Sequence, residues 1–316
     1  MVLEPIYEQD FLECSYGFRP KRSAHQALES FWKQMMKMGG GWVVEVDFQK
    51  FFDTIDKGLL QEEVRQRVRD GVLLRLIGKW LNAGVLEDGS VTYPEAGTPQ
   101  GGVISPLLAN IFLHKVLDTW FTQRVVPALL GRAFLVRYAD DFVIGCSARE
   151  DAERLMPALG RRAGQYRLTI HPEKSRIVEF HPPNAGSFDL LGFTHYWARS
   201  RKGRWVIKSK TAKSRLKRGL KSIAEWCREA MHRPLPEQYK TLSQKLKGHY
   251  AYYGITGNAW MLGRFRHEVR KLWKRSLGRR SQEGLTWGRF KARVELAFKL
   301  FLALAVHSSL RPAANP

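Results

Sequence analysis

Apolar residues recur at helical spacing at Ala27, Phe31, Met35 and Met38, and Gly39 to Gly41 end that pattern. Directly after it, WVVEVDF (42–48) is rich in β-branched and aromatic residues and predicts a strand. A second helical pattern follows, with Leu59, Leu60 and Val64 on one side and Asp56 placed to cap it. Ile104, Leu107, Leu108 and Ile111 mark a third, with Ser105 and Pro106 read as N-cap and first turn. RYADDFVIG (137–145) reads as two short strands around a turn, followed by a helix from Arg149 to Tyr166. LTIHPEKSRIVEF and FDLLGFTHYWA supply further strands. Strands separated by helices predict a mixed layer rather than a bundle.

Beyond Lys208 the periodicity is helical throughout. Leu216, Leu220, Ile223 and Cys227 form one stripe; Tyr239, Leu242, Leu246 and Tyr253 a second; Leu262, Phe265, Val269 and Leu272 a third. HRPLP and GITGN, rich in Pro and Gly, separate them. The tail offers Phe298, Leu302 and Val306 at helical spacing.

Charge sharpens this division. The net charge of +22 is concentrated in Arg199–Arg293, where 27 Lys and Arg face 5 Asp and Glu; residues 1–198 are nearly neutral. Such asymmetry predicts a polyanion-binding module joined to a neutral one. Cys14, Cys146 and Cys227 show no paired spacing, which argues against a disulfide framework or a zinc site and for a reducing compartment. The N-terminal segment lacks the order of a signal peptide, and no apolar run approaches bilayer length, so no membrane association is expected.

Candidate chemistry begins at the turn Ala139-Asp140-Asp141, where a two-residue hairpin would favour Gly or Asn. Taken alone, the acid pair also suits an ordinary solvent-facing turn. Asp47, at the end of the 42–48 strand, changes the balance. If that strand pairs beside the hairpin, three acids share one sheet edge and could hold two Mg²⁺ ions for in-line phosphoryl transfer.

In sequence order, SYGFRPKRSAHQAL, VVEVDFQKFFDTID, AGTPQGGVISPLLANIFLHKVLD, YADD, LTIHPEKS and LLGF resemble the finger and palm blocks of group II intron reverse transcriptases. The basic stretch 242–290 resembles that family's thumb or maturase region. The resemblance, which runs from Leu3 to Phe290, implies an α+β right-hand palm with partial fingers over 1–205. A helical thumb or maturase region over 206–293 and a tail over 294–316 would follow. It implies an RNA-directed DNA polymerase and intron maturase that uses two Mg²⁺ ions, dNTPs, an RNA template and a DNA primer. Its partner would be group II intron RNA, in a cytoplasmic, bacterial-type ribonucleoprotein.

The same resemblance assigns roles. Asp47, Asp140 and Asp141 would be the metal ligands, with the Phe48 carbonyl beside them. Phe52 would gate against a 2′-hydroxyl, although a core aromatic beside Phe51 is the plain alternative. Gln100, Gly101 and Gly102 would lie along the incoming nucleotide, where glycines allow close backbone approach; a tight turn is the alternative. Lys174 would approach the triphosphate or leaving group, unless it is a surface lysine near a turn. Arg19 and Ser23, with His25, would touch the template backbone, and Leu191 and Gly192 in LLGF would grip the primer. Lys247, Tyr250 and Arg264 would contact nucleic acid in the basic segment. The family's upstream finger blocks and its terminal endonuclease are not matched. A catalytically impaired member acting only as an intron RNA-binding splicing factor is therefore the competing expectation, and DNA cleavage is not expected.

Overall fold

The computed structural model describes residues 3–82, 85–87, 90–92, 104–183, 185–280, 284–298 and 300. Packing divides the chain into one unit comprising Met1–Leu191 with Trp197–Ile207, and a second comprising Gly192–Tyr196 with Lys208–Pro316.

The first unit runs α1 (Leu3–Glu8), α2 (Ala24–Met38), β1 (Gly41–Val46), α3 (Phe51–Thr54), α4 (Lys57–Arg67), α5 (Gly71–Leu81), β2 (Val85–Glu87), β3 (Ser90–Thr92) and α6 (Ser105–Leu113). It continues through β4 (Ala133–Tyr138), β5 (Asp141–Cys146), α7 (Arg149–Gln165), β6 (Arg176–Phe180) and β7 (Phe188–Leu190). Strands β8 (Phe193–Arg199) and β9 (Trp205–Thr211) follow.

Local signals account for several boundaries. Ser23 and Gln26 form a reciprocal capping box on α2, and Gly39, at φ 76°, closes its C-terminus with N–H bonds back to Met35 and Met36. Asp56 caps α4 by accepting from the Leu59 N–H. Ser105 departs from the cap expected of it: the helix begins at Ser105 itself, and Ile104 occupies the cap position with helical backbone and no side-chain bond.

The central sheet has the order β4-β5-β1-β6, antiparallel throughout. Val43 and Val44, on opposite faces of β1, are both fully buried, so helices cover both sides. That is why VVEV reads as an almost continuous apolar run rather than an alternating one. On one face Phe31 of α2 packs its ring against Phe134, Phe180 and Phe188. The other face belongs to a core that joins Val44, Phe142 and Ile144 with Leu60 of α4, Leu108 of α6 and Leu155 of α7.

The edge of β4 is met by Cys14–Tyr16 through one parallel bridge at Ser15 and Arg137. A Cβ on Gly17 would lie 2.3 Å from the Ala139 nitrogen, so only glycine permits this approach to the β4–β5 turn. Arg137 and Asp118 are 0% exposed and paired in a fork. Asp118→Ala would strand a buried guanidinium, and the expected loss is about 3–5 kcal/mol. The corresponding fall in Tm is on the order of 10 °C for a domain of this size, measured by circular dichroism. A melt unchanged from wild type would show that the pair contributes nothing to stability.

The second unit is built on α8 (Lys213–Glu229), α9 (Leu235–Tyr253) and α10 (Ala259–Gly278), with the short α11 (Trp287–Phe290) after them. Its core contains the expected stripes: Leu216, Ile223, Leu242, Leu246, Leu262, Phe265 and Val269. Trp273 fills its centre, and its Nε1–H donates to Gln238 Oε1 at 2.8 Å. Of the tail, Phe298 packs on Tyr239 and Leu300 is buried, while Leu302 and Val306 lie outside the described residues.

Candidate active site

The pairing of β1 with β5 fixes where the acids stand. Their register ends at Val46 opposite Phe142, which leaves Asp47 and Asp141 as the next residues along the two chains at the same sheet edge. Asp140 lies in the two-residue turn between Tyr138 and Asp141. Ala139, the other turn residue, sits at φ 57°, a conformation that costs a non-glycine residue roughly 1–2 kcal/mol. The turn is thus held against local preference, at the point where the two acids are presented.

Asp47 is braced by the segment before β6. His171 N–H donates to the Asp47 carbonyl at 2.8 Å, and the Asp47 N–H donates to Ser175 Oγ at 3.1 Å. Gln49 N–H donates to Thr169 O, which completes a bridge between Phe48 and Ile170. The bonds of this bridge run through the residues that flank Phe48, leaving the Phe48 carbonyl outside it. The LTI segment thus contributes an isolated bridge rather than the full strand expected of it.

Electrostatics identify the group as a site of concentrated negative charge. The Asp141 carboxyl is pushed up to about 6, first by the dense protein around it and then by the Asp140, Asp47 and Glu45 charges; a bond from the Leu191 N–H opposes this. The residue nevertheless keeps an exposed surface at the turn. Asp140 is raised as well, by burial and by Asp47, with Arg137 opposing. Lys174 Nζ lies 3.0 Å from Asp47 Oδ2, and both side chains reach solvent. Among the described residues no group of three His, Cys, Asp or Glu side chains is close enough to hold one ion, so Asp47 is engaged by lysine rather than drawn in beside its partners. Carboxylate oxygens are the donors a hard divalent ion prefers, and of the three acids Asp47 already engages a cation.

Other assigned positions divide. Phe52 is half-buried and meets Phe51 edge-on at 5.2 Å, whereas Phe51 is the ring committed to the core. Leu191 and Gly192 both adopt positive φ, at 51° and 80°, and the Leu191 N–H reaches Asp141 Oδ2 at 3.3 Å, tying the LLGF turn to the acids. Gln100, Gly101 and Gly102 lie outside the described residues.

Two assignments are corrected. Arg19 is buried, and its donors are taken by Glu8 and by the Leu12, Ser15 and Phe11 carbonyls, so it braces the fold instead of meeting a template phosphate. Tyr250 is buried in the core of the second unit and presents no surface to nucleic acid. Ser23 is occupied as a helix cap. Lys247 and Arg264 are exposed, and Arg264 stacks over Trp260, which is itself 71% exposed.

If these carboxylates hold magnesium, the raised carboxyl makes the response to it pH-dependent. Without metal, a raised Asp141 stabilises the folded protein below about pH 4, and this contribution is lost as pH climbs through about 6. Ion binding needs the charged form and therefore has the opposite dependence. Adding Mg²⁺ to chelator-treated protein should raise Tm at pH 8 and much less at pH 5, as read by scanning fluorimetry. Equal shifts at both pH values would place the ions elsewhere.

Residues 1–195 match the family described as Reverse transcriptase (RNA-dependent DNA polymerase). The chain is 34% identical over 242 residues to Protein YkfC of Escherichia coli K12, covering 66% of this chain and 62% of that protein. It is 43% identical over 123 residues to the group II intron-encoded protein LtrA of Lactococcus lactis, 39% of this chain and 20% of LtrA. It therefore spans less than two thirds of these relatives. The solved telomerase of Candida albicans, in complex with a fragment of telomeric RNA, shares the fold at TM-score 0.50 and 11% identity, over 88% of this chain and 52% of that one. With the sheet, the acid-bearing turn and the family match in agreement, this chain belongs to the reverse transcriptase family and is similar to its group II intron-encoded members.

Proposed function

We propose that the protein extends a DNA primer on an RNA template through Asp47, Asp140 and Asp141, and that its second unit binds the intron RNA from which it derives. The observation that supports the first part is the β1–β5 register, which ends with Asp47 and Asp141 at one sheet edge beside the Asp140 turn. Divalent ions bound by these carboxylates and the Phe48 carbonyl would lower the pKa of the attacking 3′-hydroxyl and steady the leaving pyrophosphate.

The chain's own residues supply the rest. His171 and Ser175 hold the Asp47 backbone, while Leu191 links the primer-side turn to Asp141. Lys174, exposed and paired with Asp47 at 3.0 Å, would be free to reach the nucleotide phosphates if that carboxylate held a metal ion instead. Phe52 stands on the exposed side of the Phe51–Phe52 pair, where a ring could exclude a 2′-hydroxyl.

Primer extension on RNA with deoxynucleotides, dependent on Mg²⁺ and on all three acids, is the direct test. Extension that survives loss of any one of them rejects this site. A second reading, an RNA-binding splicing factor without polymerase chemistry, is favoured by the concentration of charge in the second unit. RNA binding and splicing assistance by a protein that never extends a primer would support it instead.

A further inference from the structure

Every N–H of the Arg137 guanidinium has a partner. Nε and Nη2 donate to the two Asp118 carboxylate oxygens at 2.7 and 2.5 Å. Nη2 also donates to Ser15 Oγ at 2.8 Å, and Nη1 donates to Asn110 Oδ1 at 2.9 Å and to the Ala139 carbonyl at 3.0 Å. That carbonyl belongs to the residue held at φ 57° in the acid-bearing turn. Asn110 Nδ2 in turn donates to the Gly17 carbonyl at 2.7 Å, and Gly17 is the residue whose missing side chain lets its segment lie against the Tyr138–Ala139 backbone. The bonds and this contact close a ring from Arg137 through Asn110, Gly17 and Ala139 back to Arg137. All of it is removed from solvent at Arg137, Asp118, Asn110 and Ser15.

We propose that Arg137 is a positioning residue for nucleotidyl transfer: by holding the Ala139 carbonyl within this buried ring, it fixes the turn that presents Asp140 and Asp141. Buried ion pairs contribute little net stability compared with well-packed apolar side chains, so a five-donor network beneath a strained turn points to geometry as its use. Only the planar fork of arginine satisfies these partners together; lysine offers three donors from one point. The inference rests on the polymerase reading above, because a misplaced turn matters only if its acids hold the reacting metal ions.

The test measures primer extension by wild type, Arg137→Lys and Asp140→Asn, each corrected for folded fraction. The readouts are kcat, KM for dNTP and for primer-template, and the half-saturating Mg²⁺ concentration. Arg137→Lys is expected to raise the Mg²⁺ requirement about tenfold and to lower kcat on the order of 10²-fold, as for a misplacement near 1 Å. Its KM for primer-template should stay near wild type. A purely structural role would reduce the folded fraction alone, and an unchanged Mg²⁺ requirement and kcat per folded molecule would overturn the inference. If Arg137→Lys does not fold, Asn110→Ala decides on the same readouts, since it opens the ring without adding charge and leaves the Asp118 pair and the bond to the Ala139 carbonyl in place. A wild type that does not extend, or an active Asp140→Asn, would instead reject the assignment of the acids.

Discussion

Asp141→Asn is expected to abolish primer extension while leaving the protein at least as stable as wild type. The asparagine oxygen can still accept the Leu191 N–H that now reaches Asp141 Oδ2 at 3.3 Å, so the turn keeps its link to LLGF. What disappears is a negative charge at the edge proposed to bind metal. Metal-assisted charge stabilisation contributes several kcal/mol to a transition state, and about 4 kcal/mol corresponds to roughly a 10³-fold loss in rate. Stability should move the other way. The carboxyl of Asp141 is raised to about 6, so at pH 8 the folded protein carries its charge at a cost that the unfolded chain does not bear. A neutral isostere removes that cost, and metal-free Asp141→Asn should melt slightly above wild type and lose its response to Mg²⁺. Primer extension and a paired melt with and without chelator check both halves. A variant that still extends primers, or that melts far below wild type, would show that Asp141 serves the fold rather than the chemistry.

This opposition of activity and stability explains what the sequence made visible. Asp47 ends a strand where packing favours an apolar residue, and Asp140 and Asp141 stand at a hairpin turn that favours Gly or Asn, so all three stand out as exceptions to a local rule. The strand and helix periodicities were equally legible because they reflect burial: the stripes of α8 to α10 and the doubly covered β1 follow from them directly. Arg137 and Asp118 broke the same rule, a charge within AFLVRY and another at the end of IFLHKVLD, but their partnership spans 19 residues and emerges only on folding. His171 carried no such signal, since it meets Asp47 through a backbone N–H that any sequence supplies, and the Ser175 hydroxyl, 128 residues away in the chain, finds the Asp47 N–H only on folding.

Arg19 and Tyr250 show the converse limit. Each lies in a block shared with a nucleic-acid-binding family, and a shared block does not say whether a polar side chain faces the ligand or the interior. For Arg19 the deciding facts were Glu8 and three carbonyls, all within the segment that wraps around it. For Tyr250 it was the turn of α9 that places it in line with Leu242 and Leu246 rather than with Lys247.

RNA affinity should fall by about 10³-fold between 50 and 200 mM monovalent salt. Between residues 199 and 293 the chain carries 27 basic side chains against 5 acids. Engagement of roughly 7 phosphates on single-stranded RNA gives a slope near −5 in log K against log salt. Individual substitutions should then separate charge from stacking. Lys247→Ala removes an exposed cation and should reduce the slope by about 1 while weakening all RNAs similarly. Trp260→Ala is expected to behave differently, because its ring is 71% exposed with Arg264 lying over it at 5.6 Å, an arrangement suited to an unpaired base. Loss of such a stack costs about 1–3 kcal/mol, or roughly 5-fold to 150-fold in affinity, with little change in slope. Filter binding or fluorescence anisotropy across a salt series distinguishes the two. If affinity barely responds to salt, phosphate contacts do not dominate. If Trp260→Ala changes the slope rather than the intercept, the ring acts by arranging Arg264 and not by stacking.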